Sequence, residues 1–233
     1  MNLKKAVILA GGFGTRLGSK VSNVPKVLAP INGRPFLSYQ LQWLHEQGIE
    51  EVFIATHYLA DLILDFVRRN DYDMNIKCIY EDKPLGTGGA ILNVLDKINI
   101  YDFFLVINGD TKYTFDLNQS LTSYEMSKDI AYLLASYVSD TTRFGVLNIE
   151  GEFVTEFLQP SFNPISGWVN SGMYIFSAEI FKGYTTQHVS LEKEILPNLA
   201  KRNCLKILRC PKSDVFFDIG TPESYEEING KVK

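Results

Sequence analysis

Apolar residues recur along this chain in two alternating rhythms, and their order predicts a fold. Residues 5–10 form a short continuous apolar run of the kind that makes a buried strand, and 36–46 repeat their apolar positions at helical spacing. A strand pattern follows at 51–56. Residues 60–69 carry Ile63, Leu64, Phe66 and Val67 on one helical stripe. The alternation continues with a strand at 76–80, a helix at 89–98 and a fully apolar strand at 103–107. A βαβαβα order of this kind predicts an α/β fold: a Rossmann-like, three-layer α/β/α arrangement around a mostly parallel sheet.

The second half changes rhythm. Residues 130–138, 145–149, 153–157 and 168–176 read as strands with few helices between them, so a mixed or antiparallel part is expected to extend the parallel sheet. Two late helices are predicted. One covers 190–200 with Ser190 as N-cap, and one follows Thr221-Pro222, a capping residue before a proline at the first helical position. No linker, repeat or low-complexity tract interrupts the chain. Its 233 residues, 45% of them apolar, suit a single domain, 1–233, with a substantial core.

Charge and cysteine content exclude several classes. A net charge of −4 argues against a protein that coats nucleic acid, so an anionic ligand must be met by a few local cations. The three cysteines (Cys78, Cys204, Cys210) are widely spaced, and the three histidines (His45, His57, His188) lie near none of them in sequence. That is neither a disulfide framework nor a zinc site. The apolar run in "MNLKKAVILAGG" is too short for a signal peptide, and no stretch reaches membrane-spanning length. A cytoplasmic protein without a membrane or nucleic-acid partner is the expectation.

Four motifs carry candidate chemistry. "VILAGGFGTRL" runs from a strand into Gly11, Gly12 and Gly14, placing bare backbone N–H groups at the carboxyl edge of the sheet, where α/β folds bind phosphates. Arg16 and Lys26 are its nearest cations. The spacing fits neither the dinucleotide-binding G-x-G-x-x-G nor the G-x-x-x-x-G-K-[ST] phosphate loop. "YEDKPLGTGGA" repeats the strand-to-glycine-to-helix junction at the same edge. "FFLVINGDT" delivers Asp110 there, a hard carboxylate suited to Mg²⁺, and "VFFDIGTPESY" offers Asp218 as a second. Each alone has a plain structural explanation as a turn or cap; their joint occurrence on predicted strand ends favours one ligand site.

Together "LAGGFGTRL…PKVLAPI", "PLGTGGA", "NGD" and "DIGTP" resemble the sugar-1-phosphate nucleotidyltransferases over essentially the whole chain. "APINGRPFL", "NGDT", "SLEKEILP" and "FFDIGTPESY" resemble most the heptose 1-phosphate guanylyltransferase branch. The resemblance implies a single GT-A-like domain with a nucleotide-binding half at 1–115 and a sugar-phosphate-binding half at 116–233. It implies GTP and a sugar 1-phosphate, D-glycero-α-D-manno-heptose 1-phosphate before mannose 1-phosphate, as substrates. It also implies Mg²⁺ on Asp110 and Asp218, and Arg16, Lys26 and Asp110 as catalytic residues. Leu9, Ala10, Gly11, Gly12, Gly14, Thr15, Arg16, Lys26, Glu81, Gly86, Thr87, Asn108 and Asp110 would bind the nucleotide. The regulatory C-terminal domain of some relatives is not expected, and homodimerisation stays open.

Gly145 and Asn170 match the family's sugar positions, but "VTEFLQP" puts Gln159-Pro160 where the resemblance calls for a phosphate-binding lysine. Arg143 is the candidate replacement. Two other functions stay open: a nucleotide-binding regulatory subunit that has lost catalysis, favoured by that missing lysine, and a glycosyltransferase, disfavoured because Asp116 is too far from Asp110 for an Asp-x-Asp motif. Glu81 stands where the family reads the base. Its carboxylate accepts only, and guanine's adjacent N1–H and N2–H₂ donors could meet both of its oxygens.

Overall fold

The computed structural model describes residues 3–14, 23–100, 102–122, 124–160, 162–210 and 216–231. The first half runs β1 (Lys5–Leu9), β2 (Pro30–Ile31), β3 (Arg34–Pro35), α1 (Phe36–Glu46), β4 (Glu51–Thr56), α2 (Ala60–Arg69), β5 (Asn75–Tyr80), α3 (Gly86–Lys97) and β6 (Phe104–Asn108). The second half runs β7 (Thr111–Tyr113), α4 (Leu117–Leu121), β8 (Ala131–Val138), β9 (Val146–Glu150), β10 (Phe153–Leu158), β11 (Gly167–Phe176), α5 (Leu196–Lys201), β12 (Leu205–Arg209), β13 (Phe216–Asp218) and α6 (Pro222–Lys231).

The main sheet has the order β5-β4-β1-β6-β11-β8-β12-β10-β9. Its first four strands are parallel, so β1, β4, β5 and β6 all end at one edge. β11 then joins β6 antiparallel, and β9 reaches back to β11 through Val169 and Val146, curling the second half toward a barrel. Alternation along β1 explains why its run is apolar throughout. Val7 packs into one core with α3 and α5, whereas Ala6 and Ile8 pack into a second core with α1, α2 and α4 on the opposite face. A third cluster joins Ile31 and Phe36 to Ile219 and Ile228 of the C-terminal segment. Among the described residues no helix is long and apolar enough to cross a membrane.

The expected elements are present, with three revisions. α3 begins at Gly86 rather than Gly89, because the glycines read as a loop are its first turn. Val189 C=O accepts hydrogen bonds from Gly88 N–H and Gly89 N–H at 3.0 and 3.1 Å, supplying from a distant segment the cap that the local sequence lacks. The helix expected at 190–200 opens as a wide π turn, Leu191–Ile195, before becoming α-helical; Ser190 caps it by accepting from Lys193 N–H at 3.1 Å. β12 was not anticipated, nor were β2, β3 and β7, strands of two or three residues whose length is below what an alternating pattern can reveal, whereas β13 ends at Asp218 as expected.

The glycines divide by purpose. A Cβ on Gly89 would lie 2.3 Å from Gln187 O, whereas one on Gly12 would meet nothing within 4 Å. Gly89→Ala should therefore destabilise the fold by about 2 kcal/mol in denaturant titration, and Gly12→Ala should change stability by less than about 0.5 kcal/mol. Equal stabilities would contradict the docking of the 187–191 segment on α3.

Candidate active site

A cleft of about 470 Å³ opens at the shared strand edge. Leu9 at the end of β1 with Ala10, Gly11, Gly12 and Gly14 forms one wall, and Asn108 at the end of β6 with Gly109 and Asp110 forms the adjoining one. Gly86 and Thr87 of α3, with Glu81 after β5, line the far side, and Lys26 reaches in from the segment before β2. The sequence-predicted nucleotide residues therefore converge, except Thr15 and Arg16, which lie outside the described residues.

Local chemistry explains each position. Pro25 precedes a tight 3₁₀ turn over Lys26–Leu28, with Leu28 N–H bonded to Pro25 O at 2.8 Å, so the Lys26 backbone is fixed before its side chain enters the cleft. Gly14 adopts φ +64°, open to glycine, and a Cβ there would sit 3.3 Å from Lys26 Cβ. Gly109 N–H bonds Leu9 O at 3.0 Å, and a side chain at 109 would lie 2.5 Å from that oxygen. The glycine of "NGD" is thus demanded by contact with β1 as well as by a turn. Buried Gln40 of α1 donates to Asn108 O and Thr111 O at 2.8 and 2.7 Å, clamping both sides of Asp110.

Asp110 and Asp218 come together through backbone pairing. β13 runs antiparallel to β7, placing Asp218 opposite Thr111, and Ile219 N–H donates to Asp110 O at 2.9 Å. Lys26 Nζ lies 2.5 Å from Asp110 Oδ2. The Arg143 guanidinium lies 3.0 and 3.1 Å from the two oxygens of Asp218 and over the Phe144 ring at 5.3 Å. Gly220 N–H donates to Asp218 Oδ1 at 2.7 Å. Two hard carboxylates, one on the turn between β6 and β7 and one at the end of β13, form a donor set that suits Mg²⁺, which commonly takes one or two carboxylates and completes its shell with phosphates and water.

The sugar candidates lie outside the lining of this cleft. A Cβ on Gly145 would stand 2.6 Å from Leu158 O, so this glycine is required by close backbone packing. Asn170 Nδ2 donates to Tyr174 OH at 2.8 Å, and its Oδ1 accepts from Gly172 N–H at 3.0 Å. Gln159 and Pro160 are exposed.

Glu81 is 4% exposed. Its Oε2 accepts from Leu85 N–H at 3.1 Å, so the expectation that both oxygens are free for a base is corrected: one is committed to the α3 approach. Oε1 is buried without a partner and would face a Cβ on Gly11 at 3.0 Å. Burial raises the Glu81 pKa, against the opposing pull of the Leu85 N–H, His57 and Lys97. Sequence reasoning missed Phe13, Val27, Pro84, Ala90, Gly109, His188 and Glu192 as cleft residues. Glu192 Oε2 accepts from Thr87 Oγ1 at 2.6 Å, a pairing across the chain with no local signature beyond "SLEKEILP".

Residues 5–233 match the family described as Nucleotidyl transferase. The chain is 35% identical to D-glycero-alpha-D-manno-heptose 1-phosphate guanylyltransferase of Campylobacter jejuni, over 95% of this chain and 96% of that protein. It is 33% identical to mannose-1-phosphate guanylyltransferase of Mycobacterium tuberculosis, covering 94% of this chain but 62% of that protein. A crystal structure of HddC from Yersinia pseudotuberculosis complexed with GMP-PN superposes with a TM-score of 0.86 at 35% identity, covering 99% of this chain and 100% of that one.

The raised Glu81 pKa gives a signed expectation for stability. The group's favourable contribution is present below the unfolded carboxylate value, near 4.5, and is lost as pH rises through the higher folded value, so at neutral pH its buried charge destabilises the ligand-free protein. Glu81→Gln should raise Tm at pH 7, and this gain should shrink as pH falls toward 4.5. A Tm difference that does not vary with pH would contradict this assignment.

Proposed function

The chain belongs to the nucleotidyl transferase family, and from that premise we propose that it is a sugar-1-phosphate guanylyltransferase, moving GMP from GTP to D-glycero-α-D-manno-heptose 1-phosphate. The observation that carries this reading is the convergence on one cleft of a glycine edge, a lysine–aspartate pair and a buried acceptor, Glu81. The acceptor suits guanine. Its N1–H or N2–H₂ can meet Oε1 after a small rotation of the carboxylate, whereas uracil and thymine flank their single N–H with carbonyls that repel it.

In the proposed reaction an oxygen of the sugar phosphate attacks the α-phosphorus of GTP in line. One P–O bond forms as the bond to the departing pyrophosphate breaks, with no covalent enzyme intermediate. The protein's contribution is positioning and charge. The backbone N–H groups of the 9–14 segment cradle the phosphates, Lys26 neutralises oxygens at the reacting centre, and Arg16 meets pyrophosphate. Asp110 and Asp218 would hold Mg²⁺, which supplies neutralisation of the phosphate oxygens. Arg143 takes the part of the missing lysine toward the sugar phosphate, with Gly145 and Asn170 shaping the sugar side. Mannose 1-phosphate is the second acceptor, supported by the likeness to the Mycobacterium relative.

The test is pyrophosphate release from GTP, UTP, dTTP, CTP and ATP against heptose, mannose and glucose 1-phosphates. GTP with the heptose phosphate should be preferred. Glu81→Gln should erode the preference for GTP by roughly a hundredfold, the discrimination expected when a matched buried carboxylate is lost. Asp110→Asn and Asp218→Asn should each lower kcat by about 100-fold or more while leaving Tm near the wild-type value. Preference for another nucleotide, or near-normal turnover of Asp110→Asn, would overturn the reading.

A further inference from the structure

The two carboxylates that the proposed reaction needs are already occupied by side-chain cations. Lys26 holds Asp110 and Arg143 holds Asp218. The pairs are neighbours: a side chain built on Gly220 would meet Asp218 Oδ1 at 2.6 Å and Lys26 Nζ at 3.8 Å. Four charges, drawn from four segments of the chain, therefore sum to zero around one point.

The cations differ in how firmly they are held. Lys26 has a side chain 13% exposed, rooted in the 3₁₀ turn and packed against Gly14. Arg143 has a side chain 45% exposed, on the connection between β8 and β9, in contact with Asp218 and the Phe144 face and within electrostatic reach of Glu223. An exposed ion pair of this kind contributes little stability, so a change of partner costs little.

We propose that Arg143 is a positioning residue that masks Asp218 in the ligand-free protein and exchanges that carboxylate for the sugar phosphate when a divalent metal binds, so that metal and sugar 1-phosphate bind with positive coupling. The inference rests on the guanylyltransferase reading above and deepens it by naming how the site is regulated. Charge balance gives the reason. A dication alone would claim the carboxylates and leave Lys26 and Arg143 unpaired beside it. A phosphate dianion alone would draw the cations away and leave two carboxylates facing each other. Arriving together, dication and dianion leave every charge partnered. Gln159 and Pro160 supply no cation in place of the family lysine, which makes the half-exposed Arg143 the group able to make this exchange.

The experiment uses the full chain, Mn²⁺ titrations read by electron paramagnetic resonance, and D-glycero-α-D-manno-heptose 1-phosphate as the partner ligand. In wild type the sugar phosphate should tighten Mn²⁺ binding about tenfold, and Mn²⁺ should tighten sugar-phosphate binding by the same factor, since coupling is reciprocal. Arg143→Ala should bind Mn²⁺ without the sugar phosphate about as tightly as wild type does with it, and the coupling should fall to nearly nothing. Equal Mn²⁺ affinities in the two proteins, no effect of the sugar phosphate in wild type, or undiminished coupling in Arg143→Ala would overturn the proposal. GTP binding, followed calorimetrically on the same samples, reports on the parent reading separately: its absence in wild type defeats that reading, whereas intact GTP binding with a failed coupling result defeats the exchange alone.

Discussion

The contact between Gly109 N–H and Leu9 O, at 3.0 Å, is the constraint on which the site depends. It lays the turn after β6 directly on the end of β1, at a distance only a residue without a side chain can reach. Asp110 is thereby delivered beside the glycine wall. Its carbonyl then accepts Ile219 N–H, which draws in β13 and Asp218, while Gln40 ties the same turn to α1. Buried backbone groups need partners, so these bonds settle both the register of the β7–β13 pair and the separation of the two carboxylates.

The cleft is electrically asymmetric. One end carries Glu81, an acceptor held in a buried setting that disfavours its charge. The other carries the Lys26–Asp110 pair, with the Arg143–Asp218 pair next to it outside the lining and the charges balanced locally. Between them lies backbone with few side chains. Such an arrangement favours a ligand with hydrogen-bond donors at one end and phosphates at the other, and it keeps two cations at the phosphate end of a chain of net charge −4. The low dielectric at Glu81 makes an unmatched base costly, while the more exposed Arg143 at the phosphate end remains able to change partner.

Much of the fold was legible because burial on both sheet faces leaves a direct imprint. β1, β4 and β6 are apolar runs, α1 matches its helical stripe, and Thr221 accepts from Ser224 N–H at 3.3 Å before a helix opened by Pro222. The start of α3 was not legible. Its glycines read locally as a loop, and only the Val189 carbonyl, a hundred or so residues downstream, completes the turn. β12 was hidden for a similar reason: five residues become a strand because β8 and β10 flank them.

What the sequence determined by itself was the kind of chemistry: bare backbone after β1, carboxylates at strand ends, two cations, and an acidic residue closing β5. Those follow from residue types and from the alternation that sets strands in parallel, and both are local properties. The tertiary structure alone decided how these groups are spent. It committed one oxygen of Glu81 to Leu85 and left the other without a partner, paired Arg143 with Asp218, and brought Glu192 to Thr87. Pairings of that kind depend on distances between segments far apart in the chain, which are set by packing and backbone register and leave no trace in the spacing of residues.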